Sequence, residues 1–105
     1  DCSHEGFEIV RSVHSDNVKV LFDIYHMQIM EGNIINTIKA NIDKIGHFHS
    51  AGNPGRNEHY IGEINYPGII AEIKKLDYDG DFGLEYWPTF DDVKSLEKVL
   101  AYLKS

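Results

Sequence analysis

The segment VKVLFDIY, residues 18–25, constrains the fold more than any other part of the sequence. It is a nearly continuous apolar run, rich in β-branched and aromatic residues, and such runs are typical of strands that are covered on both faces. Strands of this kind occur in parallel sheets whose faces carry helices. The run therefore predicts an α/β fold.

Segments with helical periodicity and two further strand-like segments alternate along the rest of the chain. The predicted helices are HEGFEIVRSV (4–13), NIINTIKANIDKI (33–45), PGIIAEIKKL (67–76) and a segment that begins at Asp91 and Asp92. The predicted strands are GHFHSA (46–51) and DFGLEYW (81–87). In the last helix, one apolar face is predicted from Val93, Leu96, Val99, Leu100 and Leu103. The order α-β-α-β-α-β-α predicts right-handed βαβ units in a parallel sheet.

A long segment dense in Gly, Pro and Asn, GNPGRNEHYIGEINY at residues 52–66, interrupts this pattern and predicts a loop. Long loops in compact domains are often functional. Arg56 follows a Gly-Asn-Pro-Gly frame in this loop, which favours binding of an anion or of substrate oxygens. Glu58 and Glu63 are interpreted as surface groups. The acidic stretch DYDGD, residues 77–81, lacks the spacing of a calcium-binding loop and is interpreted as a turn.

Composition excludes several classes of partner. The formal net charge of −7 argues against a nucleic acid, because binding to a phosphate backbone depends on clustered Lys and Arg. No apolar run approaches the roughly 18 residues that a membrane-spanning helix needs, and the first residues lack the features of a signal peptide. A soluble, cytoplasmic protein without a membrane partner is expected. The chain begins at Asp1 with a pattern that resembles the interior of a domain, so a piece of a longer protein is also expected.

Polar side chains of ligand type lie at or near the end of each predicted strand. Asp23 and His26 close the first strand, His47 and His49 lie on the second, and Glu85 lies on the third. In parallel α/β folds, ligands gather at the carboxyl ends of the strands. Two carboxylates and an imidazole from three successive strands could converge on a divalent cation, and of the two strand histidines only His49 needs to reach it.

Each of these residues also has a purely structural interpretation. A lone buried Asp is more often a hydrogen-bond acceptor, and a His on a strand is more often a satisfied core or rim residue. Trp87, which follows Glu85 closely, could line a small pocket, but an aromatic residue there is more often part of the core. The coincidence of ligand types at equivalent strand ends nevertheless favours a site.

Four segments in order, FDIYHMQIMEGN, IGHFHSAGNPGRNE, GEINYP and YDGDFGLEYWP, resemble the C-terminal half of the hydroxypyruvate isomerase-like sugar isomerases and epimerases. These relatives are xylose isomerase-like TIM barrels, (β/α)8 folds. The resemblance covers essentially the whole chain. It implies that residues 1–105 form the C-terminal portion of such a barrel, with about strands 6 to 8 and their helices.

The resemblance also implies a site. The relatives bind a divalent cation through two glutamates, one aspartate and a histidine or glutamine. By resemblance Asp23 is the aspartate, His49 is the histidine or glutamine ligand, and Glu85 is the second glutamate, with Mg, Mn, Co or Zn as the cation. The first glutamate would lie on a strand that precedes Asp1. His26 and Arg56 match positions that hold substrate oxygens.

The function implied is the interconversion of an aldehyde and a ketone form of a small hydroxy-carbonyl compound or sugar, in which Glu85 is a catalytic proton-transferring carboxylate. A ketose 3-epimerase is one alternative, since His49 resembles the epimerases, whereas AGNPGR and GEINYP resemble the isomerases. A second alternative is a non-catalytic half-barrel that self-associates or pairs with the missing N-terminal half. An apurinic endonuclease-like phosphoester hydrolase is less favoured because the chain is acidic.

Overall fold

The structure is a computed structural model that describes residues 3–13 and 17–104. Its helices are α1 (Ser3–Val13), α2 (Ile24–Met30), α3 (Ile34–Asn41), α4 (Tyr66–Lys75) and α5 (Asp92–Lys104). Its strands are β1 (Val20–Asp23), β2 (Ile45–Ser50) and β3 (Asp81–Leu84), and a short 3-10 helix, Ile42–Lys44, precedes β2. The strands pair in parallel in the order β1-β2-β3, which confirms the predicted parallel α/β architecture.

The apolar run at residues 18–25 is a strand only in its middle. β1 ends at Asp23 and α2 begins at Ile24, so the prediction that the strand continues to Tyr25 was wrong, and α2 was not predicted. The reason lies in Asp23 itself, whose side-chain Oδ1 accepts a hydrogen bond from the backbone N–H of His26 at 3.0 Å. That bond satisfies a free donor in the first turn of the helix and therefore favours a helix start at this point.

Two predicted helices also differ from the structure. The segment predicted as helical over residues 33–45 ends its α-helix at Asn41, and Ile45 already belongs to β2. In α5 only part of the predicted apolar face is covered, because Val99 is buried whereas Val93 and Leu96 are exposed. No helix in the described part of the chain is long and apolar enough to cross a membrane.

The core lies on one face of the sheet only. Phe22 and Phe48 occupy adjacent strands in register, are almost fully buried, and have ring centroids 5.9 Å apart. The helices supply the other side of this core, with the residues Phe7, Ile34, Ile38, Ile69 and Ile73. Phe48 also contacts the rings of Tyr78 and Phe82, at 5.0 and 5.9 Å. The aromatic strand residues therefore fix the helices to the sheet.

The opposite face of the sheet is open and partly polar. Because side chains alternate along a strand and register partners share a face, Leu21 and His47 form one row. Asp23, His49 and Gly83 form the next row, at the carboxyl ends of the strands. The side chain of Leu21 is 51% exposed. The candidate site residues thus lie on the face that the helices do not cover.

The substitution Phe48→Ala tests this assignment of the core. Removing a fully buried aromatic ring should lower the free energy of unfolding by about 3 to 5 kcal/mol, measured by urea denaturation. Phe90→Ala is the matched control, because Phe90 is 43% exposed and its loss should change the free energy by less than about 0.5 kcal/mol. Equal effects of the two substitutions would contradict this description of the core.

Candidate functional site

Asp23 and His26 form a close pair at the junction of β1 and α2. While Oδ1 of Asp23 caps the helix, Oδ2 lies 2.9 Å from Nδ1 of His26. The Asp23 side chain is mostly buried and that of His26 is half exposed. The structure therefore brings together the two residues predicted at the first strand end. It also gives Asp23 the structural role of a helix cap.

His49 lies between Asp23 and Gly83 in the row at the carboxyl edge of the sheet. Its ring and that of His47 are on the same face, as predicted, with centroids 4.9 Å apart. Gly83 provides the space for both rings: a Cβ at this position would lie 3.1 Å from Nε2 of His47 and 3.3 Å from Cδ2 of His49. Any larger residue would push the imidazoles away from the strand.

Glu85 lies just beyond the end of β3 at Leu84, so the prediction that it lies on the third strand was wrong, and it connects the sheet edge to the long loop. Its Oε2 lies 3.1 Å from Nδ1 of His49, and its Oε1 lies 2.5 Å from Nη2 of Arg56. Arg56 has a left-handed backbone with φ of 58°, and its guanidinium carbon is 5.3 Å from the centroid of the Tyr25 ring. Arg56 is thus held between an aromatic face and a carboxylate.

A shallow hollow of about 380 Å³ adjoins this ion pair. It is lined by Arg56, Leu84, Glu85, Tyr86 and Trp87. The Trp87 side chain is 70% exposed, so the structure favours its interpretation as a wall of the pocket rather than as part of the core. The hollow offers a cation, a carboxylate and an indole face to a small polar molecule.

The donor types at this edge fit a divalent cation, but the side chains are engaged with one another. Asp23, His49 and Glu85 supply carboxylate oxygens and an imidazole at the ends of three adjacent strands, the mixed donor set that Mg, Mn, Co and Zn accept. Among residues 3–13 and 17–104, no group of three or more His, Cys, Asp and Glu side chains is arranged to hold a metal ion. His26 and Arg56 instead pair with the two carboxylates.

Glu58 was interpreted from the sequence as a surface group. That interpretation was wrong, because the Glu58 side chain is fully buried. Its Oε2 accepts hydrogen bonds from the Thr89 backbone N–H at 2.9 Å and the Ser95 hydroxyl at 2.6 Å, and its Oε1 accepts one from the Thr89 hydroxyl at 3.0 Å. Glu63, by contrast, is exposed as predicted. The physical reason is that the loop folds back onto the segment that follows β3.

The hydrogen bonds also determine the charge of Glu58. Burial by itself raises the pKa of a carboxyl group. The bonds from Ser95 and Thr89 outweigh that effect and lower the pKa of Glu58 from 4.5 to about 2. Glu58 is therefore a buried anion at neutral pH.

His59 is the neighbouring buried group, and its tautomer follows from its partner. The Ser50 hydroxyl donates to the backbone oxygen of Gly83 at 2.8 Å, so it must accept from Nε2 of His59, also at 2.8 Å. Nδ1 of His59 is then a bare acceptor, buried without a hydrogen-bond partner. Burial lowers the pKa of His59 to about 4, while the backbone of Ser50 and the charge of Glu58 oppose this shift only in part.

Sequence reasoning identified the residues at the strand ends but missed those that hold the loop. Asp23, His26, His49, Arg56 and Glu85 all lie at the same edge of the sheet. The missed residues are Tyr25, Ser50, His59, Thr89 and Ser95. No local signal marks them, because their partners lie far away in sequence.

Comparison with known proteins finds relatives that match most of this chain. The family model described as "Xylose isomerase-like TIM barrel" matches residues 2–105. The chain is 44% identical over 99 residues to a 2-oxo-tetronate isomerase of Cupriavidus necator, covering 94% of this chain and 38% of that protein. It is 43% identical over 86 residues to the hydroxypyruvate isomerase of Escherichia coli, covering 82% of this chain and 33% of that protein.

A solved structure shows the same fold. The crystal structure described as an AP endonuclease, family 2, from Brucella melitensis matches with a TM-score of 0.86 and 33% identity. The match covers 93% of this chain and 38% of that one. The chain thus spans about a third of the length of the relatives it matches, as expected for part of a TIM barrel.

The buried imidazole of His59 should make stability depend on pH. Its pKa is lower in the folded state, so between about pH 6.5 and 4 the unfolded chain binds more protons and stability falls as the pH falls. We expect a loss of roughly 2 to 3 kcal/mol from this group between pH 7 and 4 in urea denaturation. Glu58 acts in the same direction at lower pH: its contribution is complete above about pH 4.5 and is lost as the pH falls towards 2.

The variant His59→Gln keeps a donor for Ser50 but cannot titrate, so its stability should fall less steeply between pH 7 and 4. His4→Gln, which removes an exposed imidazole from α1, is the control and should keep the wild-type slope. Identical slopes for His59→Gln and the wild type would show that His59 is not buried in its neutral form.

Proposed function

We propose that this chain, which belongs to the xylose isomerase-like TIM barrel family, supplies part of the active site of an isomerase that acts on a small hydroxy-carbonyl acid. One observation carries the proposal: Glu85 and Arg56 form an ion pair beside His49 and Asp23 at the carboxyl edge of a parallel sheet. Relatives with 43% and 44% identity that are named as isomerases support it.

The substrate class follows from the charge at this edge. The names 2-oxo-tetronate isomerase and hydroxypyruvate isomerase both denote substrates with a carboxylate and a carbonyl. Arg56 offers a guanidinium in a hollow large enough for a few heavy atoms, and guanidinium groups bind carboxylates in a bidentate manner. The carboxylate of a sugar acid with three or four carbons would pair with the Arg56 guanidinium. A neutral sugar would leave Arg56 paired with Glu85 only.

Glu85 is the residue that would move the proton. An aldehyde–ketone interconversion through an enediolate needs a base at the carbon-bound proton and a positive group at the developing oxyanion. Glu85 is half exposed towards the hollow and can supply the base. Arg56 would orient the substrate and stabilise the oxyanion, and His26, held by Asp23, would donate to a second substrate oxygen.

Asp23, His49 and Glu85 are the residues of this chain that would hold a divalent cation. When bound, such a cation acts as a Lewis acid that polarises the substrate carbonyl. A fourth ligand would come from the part of the barrel that the resemblance places before Asp1.

We further propose that the rest of a barrel covers the open face of this sheet. The chain spans 33% to 38% of the length of the relatives, and a closed (β/α)8 barrel needs eight strands, whereas residues 3–13 and 17–104 contain three. Leu21, Val93 and Leu96 are exposed apolar residues that such closure would bury. Alternatively, a second copy of this chain covers the open face of the sheet. Native mass spectrometry, which gives the number of subunits, distinguishes these two possibilities.

Two other activities are less well supported. A ketose 3-epimerase would use the same proton transfer, so analysis of the product distinguishes it. A phosphoester hydrolase gains support from the solved relative described as an AP endonuclease. The net charge of −7 disfavours it, and metal-dependent cleavage of abasic DNA by the complete protein would reverse this ranking.

The substitution Glu85→Gln in the complete protein tests the proposal. Loss of the proton-transferring carboxylate should lower kcat for hydroxypyruvate by about 100- to 10,000-fold. The fold should be retained, because Glu85 is half exposed and its backbone N–H bond to Ser50 remains. Glu97→Gln, the same change at an exposed position of α5, should keep wild-type turnover. Full activity of the Glu85 variant would exclude Glu85 as the base.

A further inference from the structure

Consecutive residues of the long loop bind the segment that follows β3. The side chain of Arg56 pairs with Glu85, and its backbone oxygen accepts a hydrogen bond from the N–H of Trp87 at 2.7 Å. The side-chain amide of Asn57 donates to the backbone oxygen of Trp87 at 2.9 Å. Glu58 then binds Thr89 and Ser95. The loop is therefore attached at and immediately after the Arg56–Glu85 ion pair.

The attachment made by Glu58 consists of hydrogen bonds to a buried carboxylate. The three groups that surround the Glu58 oxygens are all donors: the N–H and hydroxyl of Thr89 and the hydroxyl of Ser95. Ser95 donates to Glu58, so the Tyr86 hydroxyl must donate to Ser95, at 2.9 Å, which completes a chain of three oxygens. All these donors are neutral. An uncharged amide in the same place would have to reverse the bond with the Thr89 hydroxyl and would exchange charge-assisted bonds for weaker neutral ones.

Such an arrangement is costly if its only purpose is stability. A buried anion that is balanced by neutral hydrogen bonds contributes less than well-packed apolar residues of the same volume would. The hydrogen bonds instead fix the position of the Glu58 side chain, because all of them can form in one geometry only. Glu58 is two residues from Arg56, and Thr89 is four residues from Glu85, so that geometry sets the distance between the two charged groups.

We propose that Glu58 is a positioning residue, which holds Arg56 in place against Glu85 and so sets the orientation of the substrate. This inference rests on the proposed function. Glu58 is buried and does not reach the hollow beside Glu85, so it acts only through Arg56.

The test uses Glu58→Gln in the complete protein. Gln has the same shape but no charge, so the charge-assisted bonds from Thr89 and Ser95 become weaker neutral bonds, and the Thr89 hydroxyl must reverse to accept from the amide N–H. The attachment of the loop should therefore weaken while the fold is retained. We expect hydrogen exchange, measured by mass spectrometry, to become faster at least about tenfold in peptides that cover residues 52–62 and 85–90. We also expect kcat/KM for hydroxypyruvate to fall about 10- to 100-fold, mainly through a higher KM.

A double-mutant cycle with Arg56→Lys separates positioning from general destabilisation. If Glu58 acts through Arg56, Glu58→Gln should have less than about a threefold further effect on kcat/KM in the Arg56→Lys background. A merely structural role would lower activity by the same factor in both backgrounds, and such additivity would overturn the inference.

The control is Glu63→Gln, which makes the same change in the same loop. Glu63 accepts bonds from Gln28 and Asn53 rather than from the segment after β3. Exchange in residues 85–90 should therefore stay at the wild-type rate in this variant. If Glu58→Gln fails to fold, Ser95→Ala, which removes one of the three bonds, takes its place with the same expectations.

The two proposals can fail separately. Unchanged exchange at residues 52–62 and 85–90 in Glu58→Gln, or in Ser95→Ala, overturns the positioning role whatever the enzyme does. Faster exchange in a protein whose wild type has no isomerase activity supports the attachment of Arg56 by Glu58 and overturns the proposed function instead.

Discussion

Parallel pairing of β2 with a strand on each side is the constraint on which the candidate site depends. Its register places Asp23, His49 and Gly83 side by side in the last row that all three strands share. Backbone hydrogen bonds fix this row, so strand pairing, and not side-chain contacts alone, brings the ligand-type side chains together. Helices cover only the opposite face, where Phe48 anchors them. One face of the sheet therefore packs against the helices, and the other face carries the candidate site residues.

The paired strand ends do not supply a positively charged side chain beside Glu85. The long loop supplies it, because Arg56 reaches the same edge of the sheet. Within the loop, the buried residues Glu58 and His59 make polar attachments to Thr89, after β3, and to Ser50, at the end of β2. Hydrogen bonds have a directional geometry, which suits the proposed role of the loop in holding the Arg56 guanidinium in one orientation.

The limits of sequence-based prediction follow from the range of the interactions involved. The strand at residues 18–25 was predictable because its apolar pattern is local, yet its end was not, since the capping bond of Asp23 competes with the extended conformation. Glu58 could not be placed from sequence, because its partners Thr89 and Ser95 are 31 and 37 residues away. The apolar periodicity predicted α5 correctly. It could not predict which residues of the apolar face other elements cover, and Val93, for example, is exposed.

We have proposed that this sheet edge belongs to an enzyme that moves a proton next to a carbonyl. Incubation of the complete protein with hydroxypyruvate in heavy water, followed by NMR of substrate and product, is the decisive experiment. Deuterium should enter at the carbon next to the carbonyl, and removal of the Glu85 carboxylate should abolish this incorporation. Product that forms without deuterium, or equal incorporation after removal of the carboxylate, would exclude Glu85 as the group that transfers the proton to and from solvent.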